Sequence, residues 1–157
     1  MVTIRAAGGD DLLAVVRLLE RDPDLPGDRL TALQRDTWAR MLATDGLTVW
    51  LAGAGAEVVG TVSVAVVPTL GYGCRPTAFL ESMVVAASER RRGVGRALVE
   101  HALADLAVRG CRKVQLLTHK RHATDGAHAF YRSVGFTTEA EGFRLYLPPE
   151  PPAPASP

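Results

Sequence analysis

The chain has 157 residues, a length that fits one domain around one core. Hydrophobic residues make up 47% and charged residues 22%, and a formal net charge of +1 excludes a general nucleic-acid binder with a broad basic face. Cys74 and Cys111 lack any CxxC or zinc spacing, no apolar run reaches membrane-spanning length, and MVTIRAAGGD has no signal-peptide core, so a cytoplasmic protein with free thiols and no membrane partner is expected.

Val2 to Ala6 reads as a short strand. GGDDLLAVVRLLERD follows as a helix, with Asp10 as N-cap and Leu12, Val15, Val16 and Leu19 on one face. The proline and glycine content of Asp22 to Gly27 marks a loop. Arg29 to Ala43 returns to helical spacing, with Leu30, Leu33, Trp38, Met41 and Leu42 as core candidates, and Gly46 ends it. Leu47 to Ala52 and Val58 to Val67 are valine-rich strands, and AGAGAE between them suits a hairpin turn. Pro68 to Pro76 is a loop and Ala78 to Val85 a strand. Arg96 to Arg109 is a helix closed by Gly110, and Lys113 to Leu117 a strand. Ala123 to Val134 is a helix closed by Gly135, and Phe143 to Leu147 a last strand. The tail PPEPPAPASP reads as disordered, which leaves one domain over residues 1–147 and a proline-rich tail over 148–157. Antiparallel strands giving way to a β-α-β crossover make a mixed α/β sheet with helices on its faces.

One stretch carries more charge than this chain needs. ERRRGVGRAL places Arg90, Arg91 and Arg92 before Gly93, Val94 and Gly95, between a strand and a helix start. Free backbone N–H groups in such a turn bind anions, the helix dipole adds to them, and arginines supply charge for phosphate. Glycines at 93 and 95 allow close approach of a ligand. The turn therefore suits a pyrophosphate. The same residues also fit a plain chain reversal with a solvated rim. A Walker A loop is excluded because no GK[ST] follows, and a dinucleotide fingerprint is excluded because position 98 is Leu98.

The company of the turn distinguishes these readings. A strand, Q/R-x-x-G-x-G/A, a helix, a strand, and a helix carrying FY and ending in GF resemble the GNAT family of acyl-CoA-dependent N-acyltransferases. Here the pattern reads LESMVVAASERRRGVGRALVEHALADLAVRGCRKVQLLTH and then AHAFYRSVGF. The resemblance covers about Ala78 to Phe136, and the first half matches in order of elements. It implies a central mixed sheet, mostly antiparallel with a splayed parallel pair, flanked by about four helices. It also implies acetyl-CoA as co-substrate and transfer of an acetyl group to a primary amine. The small-amine branch, which includes amino-sugar and aminoalkylphosphonate acetyltransferases, is the most similar. A homodimer is common among such proteins.

By the same resemblance, Arg90, Arg91, Arg92, Gly93, Val94, Gly95 and Arg96 hold the pyrophosphate of coenzyme A. Met83, Val84 and Val85 offer a backbone edge to the pantetheine arm, and an N–H there polarises the thioester carbonyl. Tyr131 matches the tyrosine that protonates the leaving thiolate, although an aromatic on an amphipathic helix also suits a core. Glu81, alternating with Phe79, Met83 and Val85 on one strand face, would take the proton of the acceptor ammonium or else form a structural ion pair with an arginine. The family asparagine that contacts the cofactor before the FY helix has no counterpart, and Asp125 stands in that loop.

His119, His122 and His128 lack the carboxylate or cysteine of a full ligand set, so no metal is expected. Arg121, with Lys120 and His122, could recognise an anionic group on the acceptor; an unchanged acceptor KM in Arg121→Ala would refute that role. Tyr72 is a candidate lining residue of the acceptor pocket, and Trp38 and Trp50 are core candidates. Two rival functions share the same fold: a non-catalytic acyl-CoA-binding or regulatory module, and a transferase for protein N-termini or lysines.

Overall fold

The valine-rich stretches form one sheet whose order follows the chain. The computed structural model describes residues 2–119, 122 and 126–147. Its strands are β1 (Val2–Ala6), β2 (Leu47–Ala54), β3 (Glu57–Val67), β4 (Thr77–Val85) and β5 (Lys113–Leu116), in the order β1-β2-β3-β4-β5. Pairing is antiparallel up to β4, and β5 joins β4 in parallel. The AGAG turn closes the β2–β3 hairpin with Gly55 at φ +63°, a left-handed conformation glycine adopts freely.

The helices are α1 (Leu12–Glu20), α2 (Ala32–Ala43), the single turn α3 (Gly71–Cys74), α4 (Val94–Val108) and α5 (Ala127–Ser133). α4 covers one sheet face. Leu98, Val99 and Ala102 are fully buried against Val62, Val64 and Ala78. Leu98→Ala should cost about 2–5 kcal/mol, read from the denaturation midpoint, because the cavity sits where helix and sheet are most tightly packed. α1 and α2 cover the other face, where Leu12, Val15, Val16 and Trp38 meet Val49 and Leu51. Trp38 is buried as expected, its Nε1–H donating to Gly8 O at 3.2 Å; Trp50 is half-buried, edge-on to His101.

Several local expectations are corrected. Asp10 is not the N-cap: a 3-10 turn over Gly9–Asp11 precedes α1, and the Asp11 carboxylate accepts the Gly8 N–H at 2.7 Å. The same carboxylate pairs with Arg5 at 2.6 Å, and this pairing holds it below the usual carboxylate range. The stabilisation is present at neutral pH and is lost as pH falls below about 4, through the lowered folded value. Arg5 is half-exposed, so Asp11→Asn should flatten only a shallow acid limb of the stability–pH curve.

In α1 it is Leu18, not Leu19, that is buried. α2 starts at Ala32 rather than Arg29, because Thr31 and Gln34 cap each other's backbone. Leu33 and Leu42 of α2 are exposed, and Leu30 and Met41 are half-buried. α4 starts two residues earlier than the apolar spacing suggests, since Gly93 at φ +86° sets its entry. The described part of the following helix begins at Ala127, after Gly126. No strand forms at Phe143 to Leu147; those residues join no strand among the described residues, and Phe143 and Leu145 are exposed. The proline-rich tail lies outside the described residues. Among the described residues no helix is long and apolar enough to cross a membrane.

Candidate active site

The site begins where β4 and β5 stop pairing. Their register runs from Thr77↔Lys113 to Leu80↔Leu116 and ends there, while β4 continues to Val85. The far half of β4 therefore has β3 on one side and an open edge on the other. Ala86 N–H bonds to Val59 O of β3. By strand alternation Val84 also faces β3, and Met83 and Val85 turn their backbone groups into the gap. Val85 O confirms this by accepting from Arg90 Nε at 3.2 Å.

A bulge in the same half of β4 sets the side chains. Ser63 opposes Glu81 and Thr61 opposes Val84, so β4 carries one residue more than β3. Ser82 takes up the extra residue at φ +52°. The bulge breaks the alternation, so Met83 and Val85 join Ala78 and Leu80 on the α4 face. Glu81 does not share the face of Met83 and Val85, contrary to the sequence pattern. It is exposed rather than buried, and it forms no ion pair with an arginine among the described residues.

Below the gap lies the charged turn. Arg91 sits at φ +62° and Gly93 at φ +86°. Nothing approaches within 4 Å of where a Cβ on Gly93 would stand. The N–H groups of Val94, Gly95 and Arg96 have no acceptor among the described residues, so the start of α4 presents unmatched donors. Gly95 plays a different part from the expected one. A Cβ there would lie 3.0 Å from Met83 Cε and 3.5 Å from Phe130 Cζ, so this glycine lets α4 close on β4 and α5.

The arginines are also unequal. Arg90 is bound to Val85 O, Arg92 pairs with Glu89 at 3.1 Å, and Arg96 reaches Glu100 at 3.3 Å and Ser133 Oγ at 3.1 Å. Arg91 has no side-chain partner among the described residues.

α5 brings Tyr131 over the gap. Its hydroxyl donates to Met83 Sδ at 3.7 Å, and its ring packs edge-on against Phe130 and Phe136. Burial, and secondarily the nearby Glu81 carboxylate, push the phenol above its ordinary pKa. Tyr131 thus stands beside Met83 at the open edge of β4, with the Glu81 carboxylate near enough to act on its phenol.

One candidate, Tyr72, does not join them. Tyr72 lies beyond the other end of β4, under the Arg112 guanidinium at 3.5 Å. The length of β4, roughly 25 Å, separates it from Val85. Arg121, with Lys120 and Asp125, lies outside the described residues. Among the described residues no three His, Cys, Asp or Glu side chains form a metal cluster.

The other face of β4 opens into a groove of about 340 Å³ between α1, α2 and the sheet. Thr61, Ser63 and Ser82 lie in its wall, and the sequence reading passed over all three. The signal was present in GTVSV, where hydroxyls alternate with the valines that face α4.

The comparisons agree with this geometry. The model of the acetyltransferase (GNAT) family matches residues 13–136. A putative acetyltransferase from Agrobacterium tumefaciens str. C58 is 36% identical, with a TM-score of 0.83 over 92% of this chain and 99% of that one. A transcriptional regulator from Bacillus halodurans C-125 is 28% identical, with a TM-score of 0.84 over 94% and 100%. An aminoglycoside acetyltransferase from an uncultured soil metagenomic sample, in complex with sisomicin, shares the fold at 20% identity and a TM-score of 0.79, over 95% of this chain and 97% of that one. No curated protein matches. From the mixed sheet that parts beside a glycine turn and from a family match over most of its length, this chain belongs to the GNAT family of acetyltransferases.

Proposed function

We propose that this acetyltransferase moves an acetyl group from acetyl-CoA to the primary amine of a small molecule, by direct attack of the amine on the thioester. The observation that carries the reading is the parting of β4 from β5 beside unmatched N–H donors at the start of α4.

On this reading the residues divide the work. The N–H groups of Val94, Gly95 and Arg96 and the free guanidinium of Arg91 bind the pyrophosphate. The exposed edge at Met83 and Val85 pairs with the pantetheine amides as an added strand would. A β4 N–H stabilises negative charge as it develops on the carbonyl oxygen. The amine nitrogen forms its bond to the carbonyl carbon as the C–S bond breaks. Glu81, which is exposed, receives the ammonium proton directly or through water; Tyr131 supplies a proton to the leaving thiolate, and the second proton lost by the new amide nitrogen restores the phenol. The acceptor approaches from the groove, because Ser82 lines it and adjoins both Glu81 and Met83.

Calorimetric titration with acetyl-CoA tests the first half, and thiol release across an amine panel tests the second. Micromolar binding followed by amine-dependent thiol release is expected; a folded protein that does not bind acetyl-CoA would end the proposal. Glu81→Gln should lower kcat/KM by about tenfold or more near neutral pH, with less loss at high pH where the free amine predominates. A loss that is the same at every pH would assign Glu81 another role.

A further inference from the structure

The groove between α1, α2 and the sheet restricts which amine can be acetylated, an inference that rests on the transfer reading above. Its volume of about 340 Å³ falls in the range of small-molecule pockets. Leu12, Val15 and Val16 form one wall, and Leu33, Trp38 and Met41 the other. No lysine, arginine or histidine lines it among the described residues. Its single carboxylate, Glu20, is engaged by Gln34 Nε2 at 3.2 Å. An anionic acceptor finds no counter-charge here. A polyhydroxylated or polycationic one would lose water that these walls cannot replace.

Three hydroxyl residues gather on the sheet wall, apart from Glu20, Gln34 and Thr37 on the helices. Thr61 is 1% exposed, and its Oγ1 is buried with no hydrogen-bond partner among the described residues. An orphaned hydroxyl in a cavity wall is costly unless something in the cavity meets it. Ser63 and Ser82 stand in the same wall, and Ser82 is the bulge residue between Glu81 and Met83. Hydroxyls can both accept from and donate to an amine nitrogen. The groove therefore offers hydroxyls where it reaches the acyl edge and is mostly apolar between the helices.

We infer that the acceptor is a primary amine carrying an uncharged alkyl or aryl body, with its nitrogen at Thr61, Ser63 and Ser82 and its body between α1 and α2. The test uses the full chain and two readouts. Hexylamine and phenethylamine are compared with glucosamine, 2-aminoethylphosphonate and spermidine, first by calorimetry without acetyl-CoA and then by thiol release with it.

The apolar amines should bind and should react with kcat/KM at least tenfold above the polar set, a difference of about 1.4 kcal/mol. Leu33→Arg, at a position 70% exposed and so tolerant of change, should raise their KM about tenfold and leave acetyl-CoA binding intact. Val15→Asp, deeper in the groove, should do the same more strongly if it folds. Apolar amines that neither bind nor react overturn the inference, whatever the polar amines do. So does a preference for the polar set, which leaves the transfer reading standing. Apolar amines that bind, lose binding in Leu33→Arg and are never acetylated would uphold the groove and refute the transfer reading.

Discussion

Gly93→Asp should weaken acetyl-CoA binding at least a hundredfold, about 2.8 kcal/mol, without unfolding the protein. Gly93 caps α4 at φ +86°, beside N–H groups that have no acceptor among the described residues. A carboxylate placed there competes for those donors and repels the pyrophosphate. The change strains the backbone at φ +86°, but aspartate is among the residues that enter the left-handed region most readily and nothing crowds the position. Gly93→Asn is the control, with the same backbone demand and no charge; it should stay within about tenfold of the parent. Isothermal titration of all three proteins decides the matter. Equal affinities would mean that the turn reverses the chain and does nothing else.

Tyr131→Phe should lower kcat by about a hundredfold and leave acetyl-CoA affinity nearly unchanged. Among the described residues the hydroxyl bonds only to Met83 Sδ, a weak acceptor, so its removal should change stability by less than about 1 kcal/mol. Burial and Glu81 raise the phenol's pKa, which keeps the proton in place through neutral and mildly alkaline pH. The parent's activity should rise as the acceptor amine deprotonates and show no loss from Tyr131 below about pH 10. Stability follows the same sign. The buried neutral phenol stabilises the fold below the unfolded value near ~10, and that contribution is lost as pH climbs through the higher folded value. The phenylalanine variant should lack this alkaline loss. A kcat within twofold of the parent would make Tyr131 a core aromatic.

The parts of this molecule that were legible in the sequence are those written in local patterns. Valine alternation marks β2 and β3, and AGAG marks their turn, because a pleated strand and a left-handed glycine each need a particular residue type. The glycine turn and the FY helix carry the family resemblance for the same reason. What was misread depends on the third dimension. Leu19 and Leu33 repeat at helical spacing, yet they line a groove instead of filling a core. Glu81 lost its expected face to a one-residue bulge at Ser82, and no glycine announces that bulge. Tyr72 is near the motif strand along the chain but at its wrong end in space. The close approach of Met83 and Phe130 to Gly95 was not legible either, since it is made by residues distant along the chain.

The four rungs that join β4 to β5 have a consequence for cohesion. Beyond Leu80 the two strands share no register pairs, and α5 meets the rest of the molecule through Met83, Gly95, a contact from Arg96 to Ser133 and the packing of Phe130 on the core. A co-substrate that pairs with the open edge acts as the missing strand and ties both sides of the cleft together. On the proposed reading, folding is then partly a function of how much acetyl-CoA is present: a hundredfold excess over Kd adds about 2.7 kcal/mol. The same ligand that is consumed in each turnover would hold the sheet shut, so every product release loosens the protein that must bind the next molecule.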